Sequence, residues 1–217
     1  VDFAIAMGKL GGIAVLNLDG VQTRCENPNE VLDQISHASP EEATKLLQDL
    51  YLPPIQEKLI SKRIEEIKKA KVHAFASCIP QNAKRFGAIA QEAGCDVFVV
   101  QSTVATVKHV STEYKILNIS DFCKEMKIPV IMGNSVTYDV ATELMGEGIA
   151  GLLVGVGPGA ACTTRGVLGI GVPQVTTTVD SAAARDHFYK KTGQYIPIIT
   201  DGGMRIGGEI CKAFASG

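Results

Sequence analysis

At 217 residues, with 46% hydrophobic and 20% charged residues, the chain has enough apolar mass for one globular domain with a sizeable core. A net charge of −2, with acidic and basic residues interspersed, offers no basic field to nucleic acid or an anionic membrane. No run approaches the ~18 apolar residues of a membrane span, and the opening residues do not form a signal peptide. Cys25, Cys78, Cys95, Cys123, Cys162 and Cys211 are widely spaced, without a Cys-x-x-Cys pair or a histidine cluster. That pattern argues against a disulfide framework or a zinc site and fits a reducing cytosol, so a cytoplasmic protein is expected.

In chain order, a helix is expected from Asp2 to Leu10, ended by Gly11-Gly12, followed by a short strand from Ile13 to Asn17. The stretch 24–70 is charged and mostly helical: Pro40-Glu41-Glu42 opens one helix, Pro53-Pro54 breaks it, and Ile55, Leu59, Ile64 and Ile67 mark the inner face of the next. Glu65 and Lys69 form an i,i+4 pair, read as a solvated face. From Val72 onward strands are expected at residues 73–76, 96–100, 129–132, 150–154 and 197–200. Helices are expected at 82–93, 104–127, 136–145, 173–191 and 206–215.

Strands alternating with helices at roughly 25 residues per unit imply a parallel sheet covered by helices. A doubly wound sheet and a (β/α)₈ TIM barrel both fit this rhythm, and the loops decide between them. Polar or glycine-rich segments follow most strands at their carboxyl ends, where a barrel gathers its active site. About six strands are counted where a closed barrel needs eight. The expectation is therefore a single, partial catalytic barrel domain over 1–217, beginning after a first strand and stopping before the last.

The densest such loop is Gly155-Val156-Gly157-Pro158-Gly159-Ala160-Ala161-Cys162-Thr163-Thr164-Arg165. Its glycines allow positive φ and close backbone approach to a ligand or ion, with Cys162 at the rim. The competing reading is a tight strand-to-helix turn with an incidental cysteine, since free cysteines are often plain core. Asp201-Gly202-Gly203 also precedes a helix; its N–H groups form an anion site and the aspartate can accept from ribose hydroxyls, although Asp-Gly-Gly is equally a common turn. The run Gly155-x-Gly157-x-x-Ala160 mimics a dinucleotide fingerprint, but Gly169 and Gly171 follow where a packed helix should begin, so the Rossmann reading is rejected.

The run from Gly155 to Gln174, followed by Ile199-Thr200-Asp201-Gly202-Gly203-Met204-Arg205, strongly resembles the IMP dehydrogenase and GMP reductase family. Weaker similarity covers Phe3 to Gly217. The resemblance implies a (β/α)₈ barrel, a homo-oligomer (tetramer or octamer), IMP and XMP as nucleotide partners, and NAD and K+ as cofactors. By position, Cys162 matches the nucleophile that adds to C2 of IMP, and Thr164 a threonine that positions the hydrolytic water. Asp201 matches the ribose-binding aspartate, Gly202 and Gly203 the phosphate turn, and Asn134 lies near the substrate. Gly155, Val156 and Gly157 lie where the nicotinamide approaches, with Gln101 and Ser102 also on the cofactor side. The backbone carbonyls of Gly157, Gly159 and Cys162 match potassium ligands.

The chain departs from that pattern in three places. Ala160 replaces a serine that holds the phosphate, Gln101 an aspartate near the nicotinamide ribose, and Leu153 a basic residue before the loop. These departures, with 24–70 too short for two CBS modules, point to the IMP dehydrogenase-related branch without a CBS pair. The expected activity is IMP dehydrogenase, in guanine nucleotide biosynthesis. Two rivals stand beside it. One is an NADPH-dependent GMP reductase, whose pattern has lysines after Cys-Thr-Thr-Arg where this chain has Gly166-Val167-Leu168; the other is a non-catalytic nucleotide-binding paralogue.

Overall fold

The computed structural model describes residues 1–108, 110–112 and 115–217. Contacts divide the chain into two compact units, Val1–Val99 and Val100–Gly217.

The first unit runs α1 (Asp2–Lys9), β1 (Val15–Asn17), α2 (Pro28–His37), α3 (Pro40–Tyr51), α4 (Glu57–Lys69), β2 (Phe75–Cys78), α5 (Ala83–Glu92) and the start of β3 (Val97–Gln101). β1 and β2 pair in parallel, Leu16 opposite Ala76. Pro40 stands at the first position of α3, where its missing N–H costs nothing, and Ser39 with Glu42 closes a capping box. In α4, Leu59, Ile60, Ile64 and Ile67 are buried against α5, which contributes Ala83, Phe86 and Ala90. Glu65 and Lys69 make the expected exposed pair at 3.9 Å.

One buried residue on α4 breaks the apolar pattern. Arg63 is only 4% exposed. It donates to the carbonyls of Gln22, Cys25 and Glu26 at 2.9, 3.1 and 2.7 Å and pairs with Glu66. A buried guanidinium is tolerable only with such a full set of acceptors. Strand β2 starts two residues later than the sequence pattern predicts, because the Asp96 carboxylate takes the Ala74 N–H at 2.8 Å.

The second unit continues from the end of β3 through α6 (Ile119–Glu125), β4 (Val130–Ser135), α7 (Tyr138–Gly146), β5 (Gly151–Val154), α8 (Thr164–Val167), α9 (Gln174–Thr192), β6 (Ile198–Thr200) and α10 (Gly207–Ala215). β4, β5 and β6 are parallel and adjacent in chain order, Met132 opposite Leu152 and Leu152 opposite Ile198. Val130, Met132, Leu152 and Val154 are buried, as are Leu144 and Met145 of α7. α7 and α9 pack side by side; Ala141 of α7 is buried, and α9 buries the small residues Thr177, Thr178, Ser181, Ala182 and Ala184 together with Arg185. In all, six parallel strands follow one another in chain order, each linked to the next through helix. This is the α/β barrel pattern, with the barrel not closed by these strands.

The helix expected over 104–127 is a correction: only Ile119–Glu125 is helical among the described residues. Local hydroxyls compete with the helix ladder. Ser102 Oγ donates to the Val104 carbonyl at 2.7 Å, and Thr106 Oγ1 takes the Lys108 N–H at 3.1 Å. Asn118 then caps the true start by accepting from the Asp121 N–H at 2.9 Å. His109, Glu113 and Tyr114, part of that expected helix, lie outside the described residues.

Candidate active site

The carboxyl ends of the strands in the second unit place the site. β4 runs three residues past its expected end, and its register against β5 slips between Gly133 and Ser135, so Asn134 is the extra residue of a bulge. A bulge re-aims a side chain. Glycine is required just before it, since a Cβ on Gly133 would sit 2.5 Å from Leu153. The ladder between β5 and β6 continues one step beyond Thr200, the Asp201 N–H donating to the Val154 carbonyl at 2.9 Å. Asp201 is thereby set beside the start of the glycine loop.

Three polar side chains then meet. Asn134 Nδ2 and Gln101 Nε2 both donate to Asp201 Oδ2, at 2.8 and 2.9 Å, and Gln101 Nε2 also donates to Asn134 Oδ1 at 3.2 Å. Asn134 is 5% exposed, so this network forms the floor of a cavity of about 300 Å³. That cavity is lined by Gln101, Ser102 and Asn134, by Gly155, Val156, Gly157, Gly159 and Cys162 of the glycine loop, and by Asp201 and Gly202. Two expected residues stand just off it. Gly203 lines a neighbouring cavity of about 240 Å³, and Thr164 reaches the site through Cys162.

The glycine loop is held from beneath. Gly155 has φ +133°, a conformation for glycine alone, and a Cβ there would lie 2.6 Å from Gln174 Oε1 and 2.8 Å from the Asp201 carbonyl. Gln174 Nε2 donates to the Val154 carbonyl at 2.7 Å, tying α9 to the residue that leads into the loop. Arg165 Nε donates to the Val156 carbonyl at 3.2 Å, and its Nη2 donates to the Val172 carbonyl, so one guanidinium gathers both ends of the loop. The turn at Gly202-Gly203 packs on Pro158: a Cβ on Gly203 would meet the Pro158 carbonyl at 2.7 Å. Glu209 fixes the exit of that turn by accepting from the Arg205 and Ile206 N–H groups.

Cys162 is exposed, with Sγ 3.2 Å from Thr164 Oγ1. Hydrogen bonds from the Thr164 hydroxyl and then its backbone N–H hold the thiol below its ordinary value, with a smaller contribution from the Arg165 charge. The buried Cys78 and Cys95 and the half-buried Cys123 go the other way: desolvation pushes Cys95 and Cys123 each up to about 11 and drives Cys78 higher still. Cys162 is thus the thiol biased toward the nucleophilic thiolate.

Sequence reasoning missed the two residues that shape the loop from within, Arg165 and Gln174. Both lie inside the run from Gly155 to Gln174 that carries the family resemblance. The signal was a long polar side chain among glycines, where only backbone carbonyls are available as partners. The helical turn Thr164–Val167 was missed as well, since Gly166, Gly169 and Gly171 lower helix propensity; it closes through Val167 N–H to the Thr163 carbonyl at 2.8 Å.

Parallel strands in chain order, a cysteine-bearing glycine loop and an amide-held aspartate at their carboxyl ends define an α/β barrel protein with a thiol-bearing cavity. The chain belongs to the IMP dehydrogenase / GMP reductase domain family, whose model matches residues 1–217. It is 34% identical to an uncharacterized oxidoreductase of Mycolicibacterium smegmatis, the match covering 100% of this chain and 60% of that protein. An inosine-5′-monophosphate dehydrogenase of Pasteurella multocida is 36% identical over 70% of this chain and 29% of its own length. The crystal structure of an IMP dehydrogenase/GMP reductase-like protein from Corynebacterium glutamicum superposes with a TM-score of 0.90 at 32% identity, covering 99% of this chain and 57% of that one. The chain thus spans about 60% of the length of the curated oxidoreductases it matches end to end. Among the described residues no helix is long and apolar enough to cross a membrane.

Proposed function

We propose that the protein is an IMP dehydrogenase-type oxidoreductase of the cytoplasm, converting IMP to XMP with NAD in guanine nucleotide biosynthesis and assembling as a homo-oligomer. The observation that carries this reading is the meeting of two different chemistries at one cavity. An exposed, thiolate-biased Cys162 lines the same cavity as Asp201, whose Oδ2 is held by two amides and whose Oδ1 takes no hydrogen bond among the described residues.

In the proposed reaction the Cys162 thiolate adds to C2 of the purine, forming an S–C bond. Hydride departs from C2, which oxidises the nucleotide and leaves it attached to the cysteine as a thioimidate. Water then adds to C2, the S–C bond breaks, and XMP and the free thiol are released. Thr164 serves both halves: it stabilises the thiolate before attack and lies beside the carbon that water must reach. Asp201 accepts from the ribose hydroxyls, and the N–H groups of the Gly202-Gly203 turn face the phosphate. The side chain at 160 is a methyl group, so no hydroxyl from that position joins them.

NAD supplies the hydride acceptor, and Gly155, Val156, Gly157, Gln101 and Ser102 are the residues that would stand against it. Gln101 would present its Oε1, both of its N–H donors being spent on Asp201 and Asn134. The carbonyls of Gly157, Gly159 and Cys162 are neutral oxygen donors without a carboxylate among them, a set that suits a hard monovalent cation such as K+. The Gly159 carbonyl already accepts the Cys162 N–H at 3.0 Å and has its second lone pair available.

A second reading, NADPH-dependent GMP reduction, shares Cys162 and the Cys-Thr-Thr-Arg tetrapeptide with the first, although Gly166-Val167-Leu168 stand where its pattern has lysines. The full-length protein assayed with IMP plus NAD, and separately with GMP plus NADPH, decides. NADH formation supports the dehydrogenase and NADPH consumption with ammonia release the reductase. Nucleotide binding without either reaction supports a non-catalytic paralogue.

A further inference from the structure

The network under Asp201 has a directional logic that the proposed reaction does not use. A carboxylate only accepts, so the amide nitrogen of each neighbour must face it. Gln101 Nε2 has two hydrogens and spends one on Asp201 Oδ2 and the other on Asn134 Oδ1. Asn134 Nδ2 then closes the ring by donating to the same Oδ2 at 2.8 Å. Each amide fixes the orientation of the other, and together they saturate one carboxylate oxygen while leaving its twin bare among the described residues. The ring is fixed from the backbone too: Asn134 sits in the β4 bulge with its own N–H on the Ser102 carbonyl at 3.1 Å, one residue from Gln101.

We propose that Gln101 is a positioning residue for Asp201, holding the carboxylate so that its bare Oδ1 accepts a vicinal diol, and that an uncharged donor at position 101 is what the site requires. This rests on the reading of Asp201 as the ribose acceptor. A glutamate, of the same length as the glutamine, could not take the amide's place at neutral pH. Two carboxylates about 3 Å apart do not both stay ionised without cost, and neither would donate. Gln101 therefore acts on nucleotide selectivity from a position that, by resemblance, belongs to the cofactor side.

The test uses full-length wild type, Gln101→Leu and Gln101→Glu, with calorimetric affinities for IMP and 2′-deoxy-IMP at pH 6 and pH 8 and KM values for both substrates. Wild type should prefer IMP; equal affinity for the two nucleotides would remove the ribose reading itself, whatever position 101 does. Given that preference, Gln101→Leu should weaken IMP about ten- to a hundredfold, the scale of a misplaced hydrogen bond to a charged group, and weaken the deoxynucleotide far less. Gln101→Glu should do the same at pH 8 and recover part of the loss at pH 6, where a shared proton restores a donor. A misfolded variant would not recover. Retained discrimination in both variants, or a raised KM for NAD with nucleotide affinity unchanged, would overturn the proposal.

Discussion

Thr164 Oγ1 lies 3.2 Å from Cys162 Sγ, on the turn that follows the cysteine. In the thiol form Cys162 donates to that oxygen; in the thiolate form the threonine hydroxyl reverses and donates to sulfur, joined by the Thr164 backbone N–H. The reversal is what favours the anion. Thr164→Val removes the hydroxyl and keeps the backbone bond, so the thiol should rise part of the way back to its ordinary value. Alkylation rates followed against pH should inflect at higher pH in the variant; an unmoved inflection would show that Thr164 does not tune the thiol.

Burial sets three of the other thiols apart from Cys162. Cys95 and Cys123 are each pushed up to about 11 by desolvation, and Cys78 is pushed further. At pH 8 they are protonated and shielded, whereas Cys162 is exposed and lowered. Limited iodoacetamide treatment mapped by mass spectrometry should label Cys162 ahead of all three, and early labelling of Cys95 or Cys123 would contradict the packing around them.

Two glycines in the same loop should respond oppositely to a methyl group. Gly155→Ala forces an alanine into φ +133° and drives its Cβ to within 2.8 Å of both Gln174 and Asp201. The backbone strain alone costs about 1–3 kcal/mol, and the clash displaces Asp201. At Gly159 an added methyl would find its nearest neighbour, Cys162 Cβ, 3.9 Å away, and φ is not positive. Thermal unfolding of full-length protein should show a clear loss for Gly155→Ala and little change for Gly159→Ala.

The same residues show what the sequence disclosed and where it stopped. Strand–helix alternation was legible because the buried strands are near-continuous apolar runs, and the site loops were legible because glycine clusters interrupt them. The bounds of β2 and β4 were not, since they depend on the Asp96 carboxylate and on a bulge at Asn134, contacts between residues far apart in sequence. The helix expected over 104–127 failed for a local reason, the hydroxyls of Ser102 and Thr106 taking turn bonds. Cys162, Asp201 and the glycines that line one cavity lie in motifs the sequence displays. The side chains that hold them, Arg165 and Gln174, act on backbone carbonyls, which no sequence pattern displays.

Ala160 offers a gain-of-function test of the proposed phosphate turn. Gly202-Gly203 packs directly on Pro158 and Gly159, so a hydroxyl at position 160 would enter beside it. Ala160→Ser should tighten IMP by about 1–2 kcal/mol, the scale of one added hydrogen bond to a charged acceptor. Calorimetry showing no change would mean that the turn and other donors already saturate the phosphate.

The proposed reaction divides at the thioimidate, and the two members of the Cys162–Thr164 pair fall on different sides of that division. Cys162→Ala in full-length protein should abolish NADH formation even in the first turnover, because without the thiol no carbon–sulfur bond forms and hydride has no reason to leave. Thr164→Val should behave differently with pH. Near neutrality it slows the burst, since less thiolate is present. Raising the pH ionises Cys162 without help from Thr164, so the burst should recover while steady-state turnover stays slow, its water no longer positioned. A burst and a steady state that recover together would confine Thr164 to tuning the thiol, and NADH turnover by Cys162→Ala would remove the covalent mechanism altogether.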